Sequence, residues 1–323
     1  MTDLATTAAT RWGLGHARLQ FVAGRENQVF RVCDASGEYA LRLKRPGYRT
    51  RIEIESELQW MAALDQAGIL VPRPVPSLKG QLLEQVDGHL VDLLTWMPGQ
   101  TLGTLLTACS EANAQVLFQH LGRHMALFHA ASDAWVKPDG FSRVAWDAEG
   151  LLGEAPLWGR FWEHPALSAE DKALLVDFRT RAAQDLRQRD GGLDRGLIHA
   201  DLVRENVLVS EGRMGMLDFD DGGWGYRVFD LATTLLKFLD VATFGKLKDA
   251  LLRGYLSVRT IDTDALDLFL ALRAVTYVGW IVPRLGEEDA PERSRRYLAT
   301  ARRACLHYLR GGVADHRPPG LSA

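Results

Sequence analysis

The sequence predicts an α+β chain of two lobes. A small antiparallel-sheet N-lobe with one helix covers residues 1–97, and a larger, mostly helical C-lobe covers 98–323. Three observations predict it. Before Pro98, strand-like and helix-like segments follow one another in the order ββαββ. After Pro98-Gly99 the apolar periodicity becomes helical, apart from a block of short apolar runs between 197 and 219. The chain has 323 residues, of which 47% are hydrophobic and 24% charged, a globular balance with a length that suits two lobes.

The elements follow in order. Phe21–Arg31 and Tyr39–Leu43 are rich in β-branched and aromatic residues, and Asp34–Gly37 supplies a turn, which predicts a hairpin. From Thr50 to Ala67 the period turns helical, with Ile54, Leu58 and Met61 on one face and Gly68 closing the segment. Pro72, Pro74 and Pro76 enforce an extended connection. Gln81–Val86 and His89–Trp96 then flank Asp87-Gly88, a strong hairpin signal. In the C-lobe, Leu117, Leu121, Met125 and Phe128 make one apolar stripe. Residues 135–167, rich in Pro, Gly and Trp, have no assignable period. Ser168 caps a helix to Arg189, with Glu170 and Asp171 in its first turn. Short strands follow at Leu197–His199, Val207–Val209 and Met214–Phe219, and the remainder from Val228 to Arg310 is helical, with one helix stopped by Pro283.

Composition excludes several classes. A formal net charge of -3 gives no global signal for nucleic acid or anionic lipid. Cys33, Cys109 and Cys305 are odd in number and far apart, which argues against a disulfide framework or a structural zinc site and for a reducing compartment. Met1–Thr10 lacks the basic and apolar regions of a signal peptide. Leu93–Ser110 is uncharged, but Pro98, Gly99 and Gly103 make it a turn between lobes. The expectation is a cytoplasmic chain with no membrane and no nucleic-acid partner.

Two segments concentrate chemistry. Leu197-Ile-His-Ala-Asp-Leu-Val-Arg-Glu-Asn-Val-Leu-Val209 and Met216-Leu-Asp-Phe-Asp220 place charged groups at the ends of apolar runs. His199, Asp201, Asn206 and Asp218 therefore fall on turns between buried strands. Singly, each has an ordinary structural reading as a turn, cap or packing residue. Together, H-x-D-x-x-x-x-N followed by an apolar strand and a second Asp meets the needs of phosphoryl transfer. One carboxylate accepts the proton of an attacking hydroxyl, while an amide oxygen and a second carboxylate hold Mg²⁺ against the phosphates of ATP.

This segment resembles the catalytic loop of the aminoglycoside phosphotransferase / choline kinase-like superfamily, which has the bilobal protein-kinase-like fold. The resemblance implies Asp201 as catalytic base, Asn206 and Asp218 as Mg²⁺ ligands, and His199 as a residue that packs the loop. Asp230, in Phe-Asp-Leu-Ala after Gly225-Tyr-Arg, resembles the family's buried anchor of that loop. Asp220 and Asp221 either assist the metal or form a solvated acidic turn. On the third strand, Tyr39-Ala-Leu-Arg-Leu-Lys44 puts Arg42 where the family has Lys, with Glu57 on the next helix as partner. Strand alternation puts Lys44 on the same face, so it competes for the phosphates. A surface Arg–Glu pair is the plainer alternative. Gly24-Arg-Glu-Asn-Gln-Val-Phe30 resembles the family's phosphate-covering turn, with Asn27 as its polar side chain. Leu94-Thr-Trp-Met-Pro-Gly99 resembles the hinge, where the Thr95 carbonyl and the Met97 N–H would hold the adenine edge. An ordinary strand-to-helix turn is the other reading.

The implied function is transfer of the γ-phosphate of ATP to a small-molecule hydroxyl, an amino alcohol or amino-acid-like alcohol first. Val203 stands where ordinary protein kinases carry Lys, and the tail from Arg293 to Arg310 is Arg-rich where a polycationic antibiotic would need acids. Trp224, Tyr226, Tyr277 and Trp280 either box an ammonium group or belong to the core. Arg42-Leu-Lys-Arg-Pro46 is similar to the superfamily's atypical Ser/Thr protein kinases, which makes that activity the alternative. A nucleotide-binding pseudokinase is a second alternative, opposed by the presence of base and both metal ligands.

Overall fold

The computed structural model describes residues 2–24, 27–189 and 191–311. In chain order they form α1 (Thr2–Ala9), β1 (Arg18–Gly24), β2 (Gln28–Asp34), β3 (Gly37–Leu43), α2 (Arg51–Gln66), β4 (Leu83–Val86) and β5 (His89–Thr95). Then come β6 (Gln100–Thr101), α3 (Leu102–Ala108), α4 (Glu111–Ala134), β7 (Ala145–Trp146), α5 (Ala148–Leu152) and α6 (Ala169–Arg189). The last are β8 (Arg195–Ile198), β9 (Val207–Ser210), β10 (Arg213–Met216), β11 (Gly223–Tyr226), α7 (Arg227–Leu236), α8 (Phe244–Leu256), α9 (Leu266–Ile281) and α10 (Ala290–Leu309). The α+β class is as the sequence predicts.

The chain divides into two compact units. One gathers residues up to Val144 with Asp201–Gly223 and Lys246–Arg259; the other gathers Ala145–Ala200, Trp224–Gly245 and the chain from Thr260 onward.

In the first unit a five-stranded antiparallel sheet runs in the order β1-β2-β3-β5-β4. The run Phe21–Arg31, expected as one strand, is two: Gly24 pairs with Gln28 and the chain reverses between them. Arg25 and Glu26 of the expected phosphate turn lie outside the described residues. A first helix also precedes the sheet. Its buried residues are Ala5, Ala8 and Ala9, small enough to lie flush on the strands and too small to write a large apolar stripe into the sequence. With Trp12 and Leu14 they cover Phe30, Val32, Leu41, Leu43 and Leu93. Leu41 pairs with Phe30 on one side and Leu93 on the other, so the next register position, Val29–Arg42–Asp92, faces the opposite side. That opposite side carries the charges.

The α2 helix starts on a capping box, Thr50 with Glu53, and gives way at Gly68, whose φ is +81°. Ile54, Leu58 and Met61 are buried as the periodicity requires. Trp60 donates to Ser132 Oγ at 3.0 Å and lies 5.3 Å from the Phe219 ring and 5.6 Å from Phe128. The α4 stripe is Phe118, Leu121, Met125 and Phe128, with Leu117 at its margin. Gly122 brings α4 against α8: a Cβ there would lie 1.9 Å from Leu251 O, and one at Gly254 would lie 1.9 Å from Gln119 O.

In the second unit β7, β11 and β8 form a small sheet with β7 and β11 parallel. Every residue of α7 is buried, and its Phe229 stacks on Trp146 at 5.5 Å. The unassigned stretch 135–167 supplies β7, α5 and a short 3₁₀ turn at Phe161–Glu163. Ser168 caps α6 as expected, accepting the Asp171 N–H at 3.0 Å. Leu266–Arg284 is long and apolar enough to cross a membrane, but 72% of it is buried inside the protein, as a core helix would be.

Candidate active site

The expected catalytic residues sit on a short loop between β8 and β9. In the second unit Asp230 accepts the N–H groups of His199 at 2.8 Å and Ala200 at 2.7 Å, and His199 is fully buried. Ala200 takes a left-handed φ of +65°, and the chain passes directly to Asp201. Asp230 therefore fixes the two residues that precede Asp201.

In the first unit Asn206 Nδ2 donates to both Asp201 O, at 3.0 Å, and Asp201 Oδ2, at 3.2 Å. With its nitrogen so committed, the Asn206 amide oxygen is the atom left for a cation. Leu217 N–H reaches Asn206 O at 2.8 Å, which brings Asp218, the next residue, to the same place. Asp218 also has a left-handed φ of +65°, which Asp and Asn adopt more readily than other residues with a Cβ but still uncommonly. Crowding by the surrounding protein and the charges of Asp220, Asp201 and Asp221 push Asp218 up to about 8, against a weaker pull from Arg42. Its side chain opens to solvent all the same, so water screens part of this. Among the described residues no group of three or more His, Cys, Asp or Glu side chains could hold a metal. One carboxylate and one amide oxygen suit Mg²⁺, which keeps waters and completes its shell with phosphate oxygens.

Behind this loop lies a buried charge cluster. Arg42 gives Nε to Asp92 Oδ1 at 2.7 Å and Nη2 to Asp92 Oδ2 at 3.0 Å, and Nη2 is also 2.9 Å from Glu57 Oε1. Lys44 Nζ lies 2.7 Å from Asp220 Oδ1, 3.4 Å from Glu57 Oε2 and 3.6 Å from Asp92 Oδ2. Both cations thus meet Glu57, and the Arg42–Glu57 pair is buried, with no surface character. Burial and the Arg42 charge pull the Lys44 ammonium down; Asp220, Glu57 and Asp92 more than offset them, so it is raised. Burial would raise Asp220, yet Lys44 and Arg42, with hydrogen bonds from Lys44 and Asn27, hold it well below the usual carboxylate range. Asp220 is therefore no solvated turn residue. Asn27 bridges it, donating Nδ2 to Asp220 Oδ2 at 2.8 Å and accepting Arg45 N–H at 3.2 Å. Asp221 accepts from Tyr48 Oη at 2.8 Å and Arg49 Nη2 at 2.9 Å.

At the expected hinge, Thr95 N–H donates to Arg73 O, and Thr95 Oγ1 accepts Arg73 N–H, each at 2.9 Å. Trp96 N–H goes to Glu38 O at 3.0 Å. Among the described residues no backbone carbonyl takes the Met97 N–H. The Met97 side chain fills the space over Gly215, where a Cβ would come within 2.2 Å of its methyl.

Sequence reasoning missed Asp92, Arg143, Tyr48 and Arg49. Asp92 left a signal, a lone charge inside the apolar strand Leu90-Val-Asp-Leu-Leu94; the others lie in stretches with no pattern. Three of the four aromatic residues weighed as an ammonium cage face this chain's own arginines, and Trp224 is exposed. Arg195 lies 4.5 Å from the Tyr226 ring, Arg273 4.4 Å from Tyr277 and Arg284 4.0 Å from Trp280.

Comparison with known proteins gives the family. Residues 18–269 match the model of the phosphotransferase enzyme family. The chain is 27% identical over 315 residues to an amicoumacin kinase of Bacillus subtilis, covering 92% of this chain and 89% of that one. It is 30% identical over 255 residues to a homoserine kinase of Gluconobacter oxydans, covering 74% and 72%. A solved structure of a microcompartment-associated aminopropanol kinase superposes with a TM-score of 0.84 at 28% identity, over 97% of this chain and 99% of that one. The chain belongs to the phosphotransferase enzyme family and is a kinase for the hydroxyl group of a small molecule.

Proposed function

We propose that the acceptor is an amino alcohol or an amino-acid-like alcohol such as homoserine, and that the metal is Mg²⁺. The names of the relatives support the acceptor class, since homoserine and aminopropanol both pair a hydroxyl with an amine. The observation that supports the chemistry is the bond from Asn206 Nδ2 to Asp201, which commits the amide nitrogen and leaves the amide oxygen for a cation. Bound Mg²⁺ would neutralise charge on the phosphates of ATP.

The chain's own residues have these roles. Asp201 accepts the proton of the acceptor hydroxyl as the new O–P bond forms and the bond to the β-phosphate oxygen breaks. Asn206 and Asp218 supply the protein oxygens to the metal. Arg42, oriented by Asp92 and Glu57, presents its guanidinium to the phosphates; Lys44, already on Asp220, shares that face. Asn27 supports the turn above them. The Thr95 carbonyl and Met97 N–H hold the adenine edge. Residues 1–97 act as the nucleotide lobe and 98–323 as the catalytic and acceptor lobe, in the cytoplasm.

The test is a transfer screen with ATP and Mg²⁺ against amino alcohols, homoserine, sugars and a generic Ser/Thr protein. Phosphorylation of an amino alcohol or homoserine, lost in Asp201→Ala while ATP binding persists, is expected. Labelling of protein alone, or transfer by Asp201→Ala at the wild-type rate, would overturn the reading.

A further inference from the structure

We propose that Arg143 is the positioning residue that sets the Asp218 loop and the α2 helix in register with each other. It lies just beyond α4, in a stretch where the sequence offers no periodic signal, and it is 7% exposed. Its guanidinium is fully engaged. Nε donates to Gly222 O at 2.6 Å, and Nη2 donates to Phe219 O at 2.9 Å and Asp220 O at 2.8 Å. Nη1 donates to Glu53 O at 2.8 Å and is 3.6 Å from Glu57 Oε2. A guanidinium has five N–H groups in a fixed plane; four of them make these hydrogen bonds to backbone carbonyls, and the Glu57 contact is an ion pair. Three of the acceptors are carbonyls of the four residues that follow Asp218.

This arrangement bears directly on the metal carboxylate. Asp218 is left-handed without being glycine, a conformation Asp adopts at modest cost and that fixed neighbours help to hold. Ring packing of Phe219 on Trp60 and Phe128 is apolar and fixes direction poorly. The Arg143 bonds fix it well, because each carbonyl they hold defines the orientation of a peptide plane. The same side chain holds α2 through the Glu53 carbonyl and the Glu57 carboxylate, the group on which Arg42 and Lys44 converge. Ser142 N–H adds a second tie to α2, donating to the buried Ser56 Oγ at 3.0 Å. One residue therefore aligns the group read as metal ligand with the groups read as phosphate-binding. Burial lowers its pKa, and the Glu57 charge opposes that. A lysine has three donors on a single nitrogen and cannot span these acceptors.

The inference rests on the reading of Asp218 as metal ligand, and the experiment separates the two. Arg143→Met and Arg143→Lys are compared with the wild type for the Mg²⁺ concentration giving half-maximal transfer, for acceptor KM, and for the rise in unfolding temperature produced by Mg²⁺ with ADP. Leu251→Ala serves as a destabilised control remote from the loop. Groups that orient a metal ligand typically change metal affinity by roughly 10–100-fold when removed, and a shift of that size is expected in both variants. Acceptor KM should stay unchanged, and the Mg²⁺–ADP thermal shift should shrink. Millimolar ethylguanidinium, against sodium chloride at equal ionic strength, should restore part of the loss in Arg143→Met. Should Arg143→Met not fold, Arg143→Lys decides by the same measurements. A folded variant with the wild-type Mg²⁺ requirement and thermal shift would overturn the proposal, as would an equal change in Leu251→Ala. Separately, Asp218→Asn that kept metal-dependent transfer would remove the underlying reading, whatever Arg143 does.

Discussion

Lys44 Nζ lies 2.7 Å from Asp220 Oδ1, with both side chains almost wholly buried, so β3 is fastened to the Asp218–Asp221 loop by an ion pair shielded from water. Breaking such a pair from one side leaves the other charge stranded. Lys44→Met should destabilise the protein by about 3–5 kcal/mol, and Lys44→Met with Asp220→Asn should recover much of that. Urea unfolding of the wild type, both single variants and the double variant measures the coupling. Additive losses would mean that the two side chains do not support each other.

The raised Asp218 pKa gives a signed pH dependence. A carboxylate pushed up to about 8 in the folded protein contributes stability below its ordinary unfolded range and loses it as pH rises through about 8. Without nucleotide or metal, the advantage of Asp218→Asn over the wild type in unfolding temperature should therefore grow from acid to alkaline pH. Asparagine tolerates the left-handed φ at this position, so the substitution adds little strain. Metal binding should release more protons per site at neutral pH than well above pH 8. Calorimetry in buffers of different ionisation enthalpy reads that proton count. An equal count at both pH values would refute the assignment.

What the sequence revealed was local, and what it hid was long-range. His199, Asp201, Asn206 and Asp218 sit within one short stretch, where their spacing singles them out. Arg42 and Glu57 were legible because a strand and the next helix bring them together. Arg143 was not, because its acceptors are backbone carbonyls 76 to 90 positions away, and a carbonyl leaves no mark on residue type. Asp220 stood open between two readings for a related reason. An acidic turn reads as solvated until Lys44, 176 positions earlier, is placed beside it. The first strand pair was merged because Gly24–Gln28 carries no Asn-Gly or Asp-Gly to mark the reversal.

If Arg42 meets the phosphates as proposed, the bidentate hold of Asp92 on it makes Asp92 a support of that contact. Asp92→Asn keeps the volume and removes the charge that aligns the guanidinium. Because charge-assisted hydrogen bonds contribute about 1.5–3 kcal/mol, KM for ATP should rise roughly tenfold or more. Acceptor KM should hardly move, and Arg42→Gln should give the same pattern. Steady-state kinetics with each substrate varied would check this; a rise confined to the acceptor would place Arg42 elsewhere in the reaction.

Gly122, against Leu251, and Gly254, against Gln119, set how closely α4 approaches α8. On helix propensity alone, glycine to alanine gains about 1 kcal/mol. At Gly122 the added methyl would sit 1.9 Å from Leu251 O and 2.9 Å from Tyr255 N, backbone atoms that cannot turn aside. Overpacking costs of about 1–3 kcal/mol or more should outweigh the propensity gain, so Gly122→Ala lowers the unfolding temperature. Gly245, also in α8, has nothing within 4 Å of its would-be Cβ, and Gly245→Ala should be neutral or raise it. The opposite signs come from the same substitution, so propensity cannot account for both. Thermal unfolding of the two variants side by side decides it, and a stabilised Gly122→Ala would mean that the helices can part without loss.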